Sequence, residues 1–172
     1  MSYTASGSSV APPPRPILVL GLGNVLLRDE GLGVHVLRVL ADLPWPAEVE
    51  LSDGGTAGLN LVDRLAGRRV VIVVDALDSL DPPGTIRRLR PPELASVSPA
   101  ALSLHEAGLL EALAAARCVG CAPQEVIVLG VQPGVVDWGL ELSPAIAAVV
   151  PKLIEMVKAE VAAALASQAA AA

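Results

Sequence analysis

The 172-residue sequence contains no phenylalanine, and aromatic residues make up only 2% of the chain. Basic residues are also few, because 12 Lys and Arg stand against 18 Asp and Glu, which gives a formal net charge of −6. Nucleic-acid binding needs clustered basic side chains and, for single strands, aromatic rings on which bases stack. The composition therefore argues against a nucleic-acid-binding protein.

Long apolar runs and a leader pattern are missing as well. No segment reaches the roughly 18 apolar residues of a membrane-spanning helix. Residues 1–15 are rich in Ser, Gly and Pro but lack the basic start and apolar run of a signal peptide. We expect a cytoplasmic protein without membrane association, whose residues 1–15 form a disordered lead-in.

The sequence has only two cysteines, Cys118 and Cys121, in a C-x-x-C arrangement. Zinc sites of this kind need a second pair of ligands, and redox motifs lie at the start of a helix. This pair instead follows the end of a predicted helix. We therefore expect it to be a loop feature without a role.

Aliphatic residues are abundant, and they form short apolar runs that alternate with helical patterns. Near-continuous apolar strands indicate a mostly parallel sheet covered by helices on both faces, which is an α/β fold. The segment 85–90 carries three arginines, which suit an exposed edge strand. The predicted strands are 16–23, 49–51, 70–74, 85–90 and 126–131.

The helical patterns have recognisable start signals. The predicted helices run over 29–43 with Asp29 as its cap, over 59–65 with Thr56 as its cap, from near Ser103, and from Pro144 to about Ala166. We expect residues 91–99 to be a loop and 167–172 to be a frayed Ala-rich tail. A single domain is therefore predicted over residues 16–166.

Polar side chains follow the carboxyl ends of predicted strands at Glu30, Asp75 and His105. Ligands of open α/β sheets bind at this edge, and two carboxylates with one imidazole suit a divalent transition metal. Each residue also has a simpler interpretation. A carboxylate at a helix start, such as Glu30, is stabilised by the helix dipole. A strand-end aspartate accepts hydrogen bonds from a neighbouring loop, and a histidine near a helix start is a capping or packing residue.

Other motifs are incomplete. Gly21-Leu22-Gly23 supplies only the first two glycines of a dinucleotide-binding fingerprint. The sequence has no Gly-Lys-Ser/Thr phosphate loop and no Gly-x-Ser-x-Gly nucleophile elbow. These absences argue against nucleotide-dependent enzymes and serine hydrolases of that type.

Five blocks of sequence resemble the hydrogenase maturation proteases. They are GLGNVLLRDEGLG at 21–33, DGGTAG at 53–58, Asp75-Ala76 with PGT at 83–85, SLHE at 103–106, and GVQP at 130–133 with WGLELSP at 138–144. The resemblance covers residues 17–157. It implies an α/β/α sandwich of three layers around a mostly parallel twisted sheet with one antiparallel edge strand.

The resemblance also implies an activity. Members of the family are endopeptidases that remove the C-terminal extension from the large-subunit precursor of nickel–iron hydrogenases. Glu30, Asp75 and His105 fall on the family's metal-binding positions, which implies a nickel-dependent, aspartic-type protease. The nickel would come with the substrate, and another divalent metal could occupy the site in vitro. Family precedent favours a monomer.

The neighbouring motifs suggest further roles. We assign acid–base chemistry to Asp53, with a turn residue that caps the following bend as the alternative. Gly54, Gly55 and Thr56 are predicted to let an extended substrate approach the backbone closely. Gln132, in the loop after the last strand, is predicted to contact the same peptide.

Three questions stay open at this point. Trp138 lies in the same loop as Gln132, and packing on the sheet edge is its favoured interpretation. Leu80 occupies a position where the family usually has glycine, which leaves the shape of that loop open. The alternative function is a non-catalytic, metal-sensing chaperone of the immature large subunit.

Overall fold

The computed structural model describes residues 13–56, 58–97 and 104–171, with the backbone alone for 95–97, 104–106 and 171. The strands are β1 (Ile17–Leu22), β2 (Val49–Gly55), β3 (Val70–Ala76), β4 (Ile86–Leu89) and β5 (Glu125–Val131). The helices are α1 (Leu32–Ala41), α2 (Leu61–Leu65), α3 (Pro91–Val97), α4 (Leu104–Cys118), α5 (Pro144–Ala147) and α6 (Val150–Ala171), and a short 3-10 helix, Arg28–Gly31, precedes α1.

The five strands form one sheet in the order β2-β1-β3-β5-β4. β1, β2, β3 and β5 pair in parallel, whereas β4 pairs antiparallel with β5 at the edge. Every residue of β1 and β3 is buried, as expected for central strands covered on both faces. The predicted parallel sheet and its antiparallel edge strand are confirmed.

Helices cover both faces of the sheet. Alternate residues of β1 point to opposite faces, so that Ile17 and Val19 join one core and Leu18 and Leu20 join the other. The first core includes buried residues of α1 and α6, and the second includes residues of α2, α3 and α4. The predicted three-layer sandwich is confirmed.

Helix α1 packs onto the sheet at backbone distance. A Cβ atom at Gly33 would lie 2.1 Å from the carbonyl oxygen of Val74 and 2.3 Å from that of Leu22. Real side chains do not fit at such separations, so only glycine allows this approach. The first turn of α1 therefore lies directly over the carboxyl ends of β1 and β3.

The prediction that residues 91–99 form a loop is wrong for its described part, because α3 spans Pro91–Val97. Proline is well suited to the first turn of a helix, whose amide hydrogens have no partner within the helix. The carboxylate of Glu93 also accepts a hydrogen bond from the backbone amide of Arg90 at 2.6 Å. This back-bonding glutamate is one half of a capping box.

Two predicted helix caps are also wrong. α1 begins at Leu32 after the 3-10 helix, so Asp29 does not cap it. α2 begins at Leu61, which leaves Thr56 in an exposed turn. In both places the chain makes an additional turn at the end of a strand before the helix begins.

The described ends of the chain extend the predicted elements. α6 continues to Ala171, beyond the predicted helix end near Ala166, in keeping with the high helix propensity of alanine, and fraying of its last residues stays a prediction. The side chain of Arg69 supports this segment, because its guanidinium donates to the hydroxyl of Ser167 at 3.0 Å. Arg15, predicted to be disordered, donates to the carbonyl oxygen of Val49 at 2.8 Å, and residues 1–12 lie outside the described part.

Within the described residues, no helix is both long enough and apolar enough to cross a membrane.

Candidate functional site

The candidate site lies at the carboxyl edge of the parallel strands. β1 and β3 are neighbours, and their register places Gly21 opposite Val74. The 3-10 helix that carries Glu30 follows β1, and Asp75 follows Val74 within β3. The fold therefore brings Glu30 and Asp75, which are 45 residues apart in the sequence, to the same edge of the sheet.

Glu30 has an oxygen atom in an unusual environment. Its Oε2 atom is buried and has no hydrogen-bond partner in the structure. Buried polar atoms normally have a partner, and leaving one without costs free energy. An unsatisfied carboxylate oxygen suits a site that a cation completes.

Asp75 is almost fully buried, with 2% of its surface exposed. Its Oδ1 atom accepts a hydrogen bond of 2.9 Å from the backbone amide of Ala76. This contact lies within the end of β3 itself. Carboxylate oxygens are of the kind that divalent cations accept, and metal binding by Asp75 stays a prediction.

His105 lies in the first turn of α4, and only its backbone is described. The nearby residue Gly108 places this turn, because a Cβ atom at Gly58 would lie 3.9 Å from the Cα atom of Gly108. Gly58 follows β2 at the carboxyl edge, so α4 also begins near that edge. The position of the imidazole relative to Glu30 and Asp75 stays a prediction.

A complete metal site is not part of the described structure. Among residues with described side chains, no three His, Cys, Asp or Glu groups are placed to hold a metal ion. His105 is not among those residues, so the predicted triad of Glu30, Asp75 and His105 is untested. The donor set itself fits a metal, because one of its oxygens is buried without a partner.

The segment Asp53–Gly55 belongs to the end of β2 and not to a separate turn. The Oδ1 atom of Asp53 accepts a hydrogen bond of 2.8 Å from the backbone amide of Gly55, whose φ is +50°. This is the bend-capping contact that the sequence offered as the alternative for Asp53. An acid–base role for its carboxylate stays a prediction.

The glycines of this segment serve packing. A Cβ atom at Gly54 would lie 2.5 Å from Cδ2 of Leu22 and 3.0 Å from Cδ1 of Leu20. The carbonyl oxygen of Gly55 accepts a hydrogen bond of 2.9 Å from the amide of Gly23, which joins the ends of β1 and β2. The predicted binding of substrate by Gly54, Gly55 and Thr56 is untested.

The side chain of Gln132 is buried and holds the loop that follows β3. Its Oε1 atom accepts hydrogen bonds from the amides of Ser79 at 2.7 Å and Asp81 at 3.3 Å. Its Nε2 atom donates to the carboxylate of Asp78 at 3.2 Å. No sequence pattern indicates this bracing role, and direct contact with substrate stays a prediction.

Sequence reasoning also missed Asp29 as a carboxylate that accepts four hydrogen bonds. Asp29 is fully buried. Its Oδ1 atom accepts a hydrogen bond from the amide of Ser143 at 2.6 Å, and its Oδ2 atom accepts from the hydroxyl of Ser143 at 2.8 Å. Oδ2 also accepts from the amides of Gly134 at 2.9 Å and Val135 at 2.7 Å. Asp29 therefore ties the segment that carries Glu30 to the loop after β5.

This environment makes the stability of the fold depend on pH. Burial alone would raise the pKa of Asp29, but hydrogen bonds from Ser143, Val135 and Gly134 outweigh burial and hold the pKa below its usual 3.8. A lowered pKa in the folded state stabilises the fold above the unfolded-state pKa, and this contribution disappears as the pH falls through the folded-state value.

We expect the wild-type chain to lose more free energy of unfolding than Asp29→Asn when the pH falls from about 5 to about 3. The reason is that asparagine has no carboxylate to protonate. Urea unfolding at both pH values measures the difference. Equal losses in the two proteins would contradict this assignment.

Leu80 lies in the loop braced by Gln132 and has a left-handed backbone conformation, with φ +60°. Its side chain is 82% exposed, so no packing compensates for the strained backbone. The loop is held by other contacts, including the guanidinium of Arg87, which donates to Asp81. Hydrogen bonds from Arg87 and Ser79 lower the pKa of Asp81 to about 2. The loop therefore keeps the shape that a glycine would adopt without strain.

We expect Leu80→Gly to be more stable than Leu80→Ala by about 1 kcal/mol, because only glycine adopts a left-handed conformation at little cost. Both variants remove the same exposed side chain, so their difference in free energy of unfolding reports the cost of the left-handed backbone conformation. Chemical denaturation of the two variants measures it. A more stable alanine variant would show that the loop relaxes when leucine is removed.

Trp138 does not pack on the sheet edge, so the favoured interpretation of this residue is wrong. Its side chain is 75% exposed. The backbone of its segment is fixed elsewhere, since Gly139 pairs with Leu27 in a parallel bridge. The tryptophan is therefore displayed to solvent from an ordered segment.

Cys118 ends α4 and Cys121 follows it after two residues. Both are free thiols. They lie where α4 leads into β5, which is the amino edge of the sheet, opposite the candidate site. That they take no part in the chemistry stays a prediction.

Comparisons of the sequence with a family model and with known proteins agree on one family. Residues 34–160 match the sequence model of the family described as hydrogenase maturation protease. The hydrogenase expression/formation protein HupD of Thiocapsa roseopersicina is 42% identical over 81% of this chain, which spans 65% of that relative's length. The hydrogenase 2 maturation protease of Escherichia coli is 37% identical over 83% of this chain and 88% of its own length.

Comparison with solved structures points to the same family. The hydrogenase maturating endopeptidase HybD from E. coli superposes with a TM-score of 0.81 at 36% identity, covering 86% of this chain and 93% of that structure. The maturation protease HybD from Thermococcus kodakarensis gives a TM-score of 0.68 at 26% identity, covering 83% and 96%. Sequence and fold agree, and the chain belongs to the hydrogenase maturation protease family.

Proposed function

We propose that this chain is an endopeptidase that removes the C-terminal extension of a nickel–iron hydrogenase large-subunit precursor after nickel has been inserted. Glu30, Asp75 and His105 bind the nickel ion that the substrate carries. The chain thereby presents only a metal-loaded precursor for cutting. Family membership and the carboxylates at the carboxyl edge support this proposal.

The buried Oε2 atom of Glu30, which has no hydrogen-bond partner, carries the most weight. A carboxylate whose only purpose was to stabilise a helix start would remain hydrated or accept backbone hydrogen bonds. Glu30 instead keeps a carboxylate oxygen available at the edge of the sheet where the buried carboxylate of Asp75 also lies. A cation from the substrate would supply the partner that the Oε2 atom of Glu30 lacks.

Selectivity for the loaded precursor follows from coordination. A ligand shifts an equilibrium only by its differential affinity for the two states. An empty precursor brings no cation to offset the desolvation of Glu30 and Asp75, so it binds more weakly than the loaded one. The metal thus acts as a signal of completed assembly.

Hydrolysis of the peptide bond requires that water add to the carbonyl carbon and that the leaving amine receive a proton. Asp53 can accept the proton of the water and pass it to the amine, with its carboxylate oriented by the hydrogen bond from Gly55. Alternatively, the substrate's metal polarises the carbonyl or binds the water. Loss of cleavage in Asp53→Asn with unchanged precursor binding supports the first route, and retained cleavage supports the second.

The test is to incubate the purified chain with nickel-loaded and nickel-free precursor and to weigh the products by mass spectrometry. We expect a C-terminal peptide to be lost from the loaded precursor alone. Binding of the loaded precursor without any loss of mass would favour the metal-sensing chaperone. Equal cutting of both precursors would overturn recognition through the metal.

A further inference from the structure

Exposed apolar side chains are concentrated at the carboxyl edge of the sheet. Seven of the ten exposed large hydrophobic residues in the described part of the chain lie in loops that follow the carboxyl ends of β1, β2, β3 and β5. The seven are Leu26, Leu59, Leu80, Val135, Val136, Trp138 and Leu140. Clustered exposed apolar residues mark an interaction surface more often than single ones do.

Three of these residues lie in two segments that backbone contacts join, and we call them the apolar ridge: Leu26, Trp138 and Leu140. The amide of Gly139 donates to the carbonyl oxygen of Leu26 at 2.9 Å, and Gly139 bridges Leu27. Leu26 precedes one member of this bridging pair, and Trp138 and Leu140 flank the other. The three side chains are 49%, 75% and 65% exposed.

The ridge is fixed in place. Asp29 binds the amides of Gly134 and Val135 at one end of the loop and Ser143 at the other. Arg28, next to Asp29, has φ +50°, and its Nε atom donates to the carbonyl oxygen of Trp138 at 3.4 Å. Strained backbone that the surrounding contacts maintain is characteristic of binding and catalytic sites. The side chains of the ridge are therefore exposed from an ordered backbone.

The ridge adjoins the candidate site. The amide of Glu30 donates to the carbonyl oxygen of Leu27 at 3.2 Å, so one backbone hydrogen bond joins the bridge to the proposed nickel ligand. Any polypeptide that reaches Glu30 has neighbouring residues within reach of the ridge. The exposed acidic residues Asp137 and Glu141 flank Trp138 and Leu140, which favours apolar side chains accompanied by basic or uncharged ones.

We propose that the apolar ridge binds an apolar segment of the precursor polypeptide that adjoins the bond to be cut. This inference rests on the proposed function, because it takes the precursor as the partner. The ridge contributes affinity by burying Trp138 and Leu140, while Glu30 and Asp75 recognise the ion. The two contacts lie side by side, so both are made only by a precursor whose metal and cleavable segment are correctly placed.

The test uses the fact that the chain has two tryptophans, Trp138 on the ridge and Trp45 after α1. Labelling with 5-fluorotryptophan gives one fluorine NMR signal for each, and Trp45→Phe assigns them. On addition of unlabelled nickel-loaded precursor, we expect the Trp138 signal to shift while the Trp45 signal stays. An unchanged Trp138 signal would overturn the proposal. A concentration-dependent shift without precursor would also overturn it, because the occupant would be a second copy of the chain.

A matched pair of double variants gives a second measurement. Trp138→Ser with Leu140→Ser removes the ridge, and Val39→Ser with Val119→Ser removes exposed apolar side chains at the opposite edge. We expect the ridge variant to raise KM at least tenfold with kcat nearly unchanged, and the control to match the wild type. Equal kinetics in both would overturn the proposal. If the Trp138 signal shifts when precursor is added but the wild type does not cleave the precursor, the result would support binding at the apolar ridge and contradict the proposed protease activity.

Discussion

Glu30→Gln is expected to abolish detectable cleavage of the nickel-loaded precursor without destabilising the fold. Replacing the carboxylate removes an anionic metal ligand. We expect cleavage activity to fall at least about 100-fold, because replacing a residue that only hydrogen-bonds to a metal ligand already lowers metal affinity or activity by about 10–100-fold. Stability should stay the same or rise, because the buried Oε2 atom has no hydrogen bond to lose. The substitution is thus expected to abolish cleavage without lowering the free energy of unfolding.

The measurement pairs a cleavage assay with urea unfolding. Glu48→Gln is the matched control, since Glu48 is exposed and lies immediately before β2, at the amino edge of the sheet. We expect the control variant to cleave like the wild type. Full activity of Glu30→Gln would remove the carboxylate from the mechanism. A large drop in its unfolding free energy would instead assign Glu30 a structural role.

Of the substitutions described, Asp29→Ala should lower the free energy of unfolding most, by about 3 kcal/mol. The substitution leaves the amide and the hydroxyl of Ser143, both in a buried residue, without their acceptor. It also frees the amides of Gly134 and Val135, but these residues are exposed, so water can replace part of what they lose. The desolvated groups at Ser143 therefore account for most of the effect.

Denaturant unfolding measures the loss, and Asp42→Ala is the control because Asp42 is an exposed aspartate just after α1. A change of less than about 1 kcal/mol at Asp29 would mean that the loop after β5 finds other partners. Precursor cleavage should fall together with stability, since Asp29 also holds the segment that carries Glu30 and the apolar ridge.

The strands were predictable because their signal is local. Five consecutive β-branched residues at 70–74 admit little except a buried strand, and β3 extends that segment by two residues to Ala76. The start of α3 has a weaker local signal, a proline followed by Glu93. Proline marks both helix starts and loops, so the sequence alone left this segment ambiguous.

For the candidate site, the sequence predicted placement at one edge of the sheet. Parallel strands bring their carboxyl ends together, which places Glu30 and Asp75 at the same edge, and their role there stays a prediction. Asp29 and Ser143 are 114 residues apart, and no pattern in either segment indicates that they meet. The same holds for Gln132 and Ser79, which are 53 residues apart. Such pairs depend on how loops pack after the sheet has formed.

The absence of a side chain at Gly33 has a consequence for binding. With no atoms between the start of α1 and the carbonyl oxygens of Val74 and Leu22, helix and sheet are in direct contact. The backbone positions that support Glu30 and Asp75 are therefore determined during folding. If these carboxylates bind the substrate's metal as proposed, the entropy that a flexible pair of ligands would lose at every encounter is lost only once, before any substrate arrives.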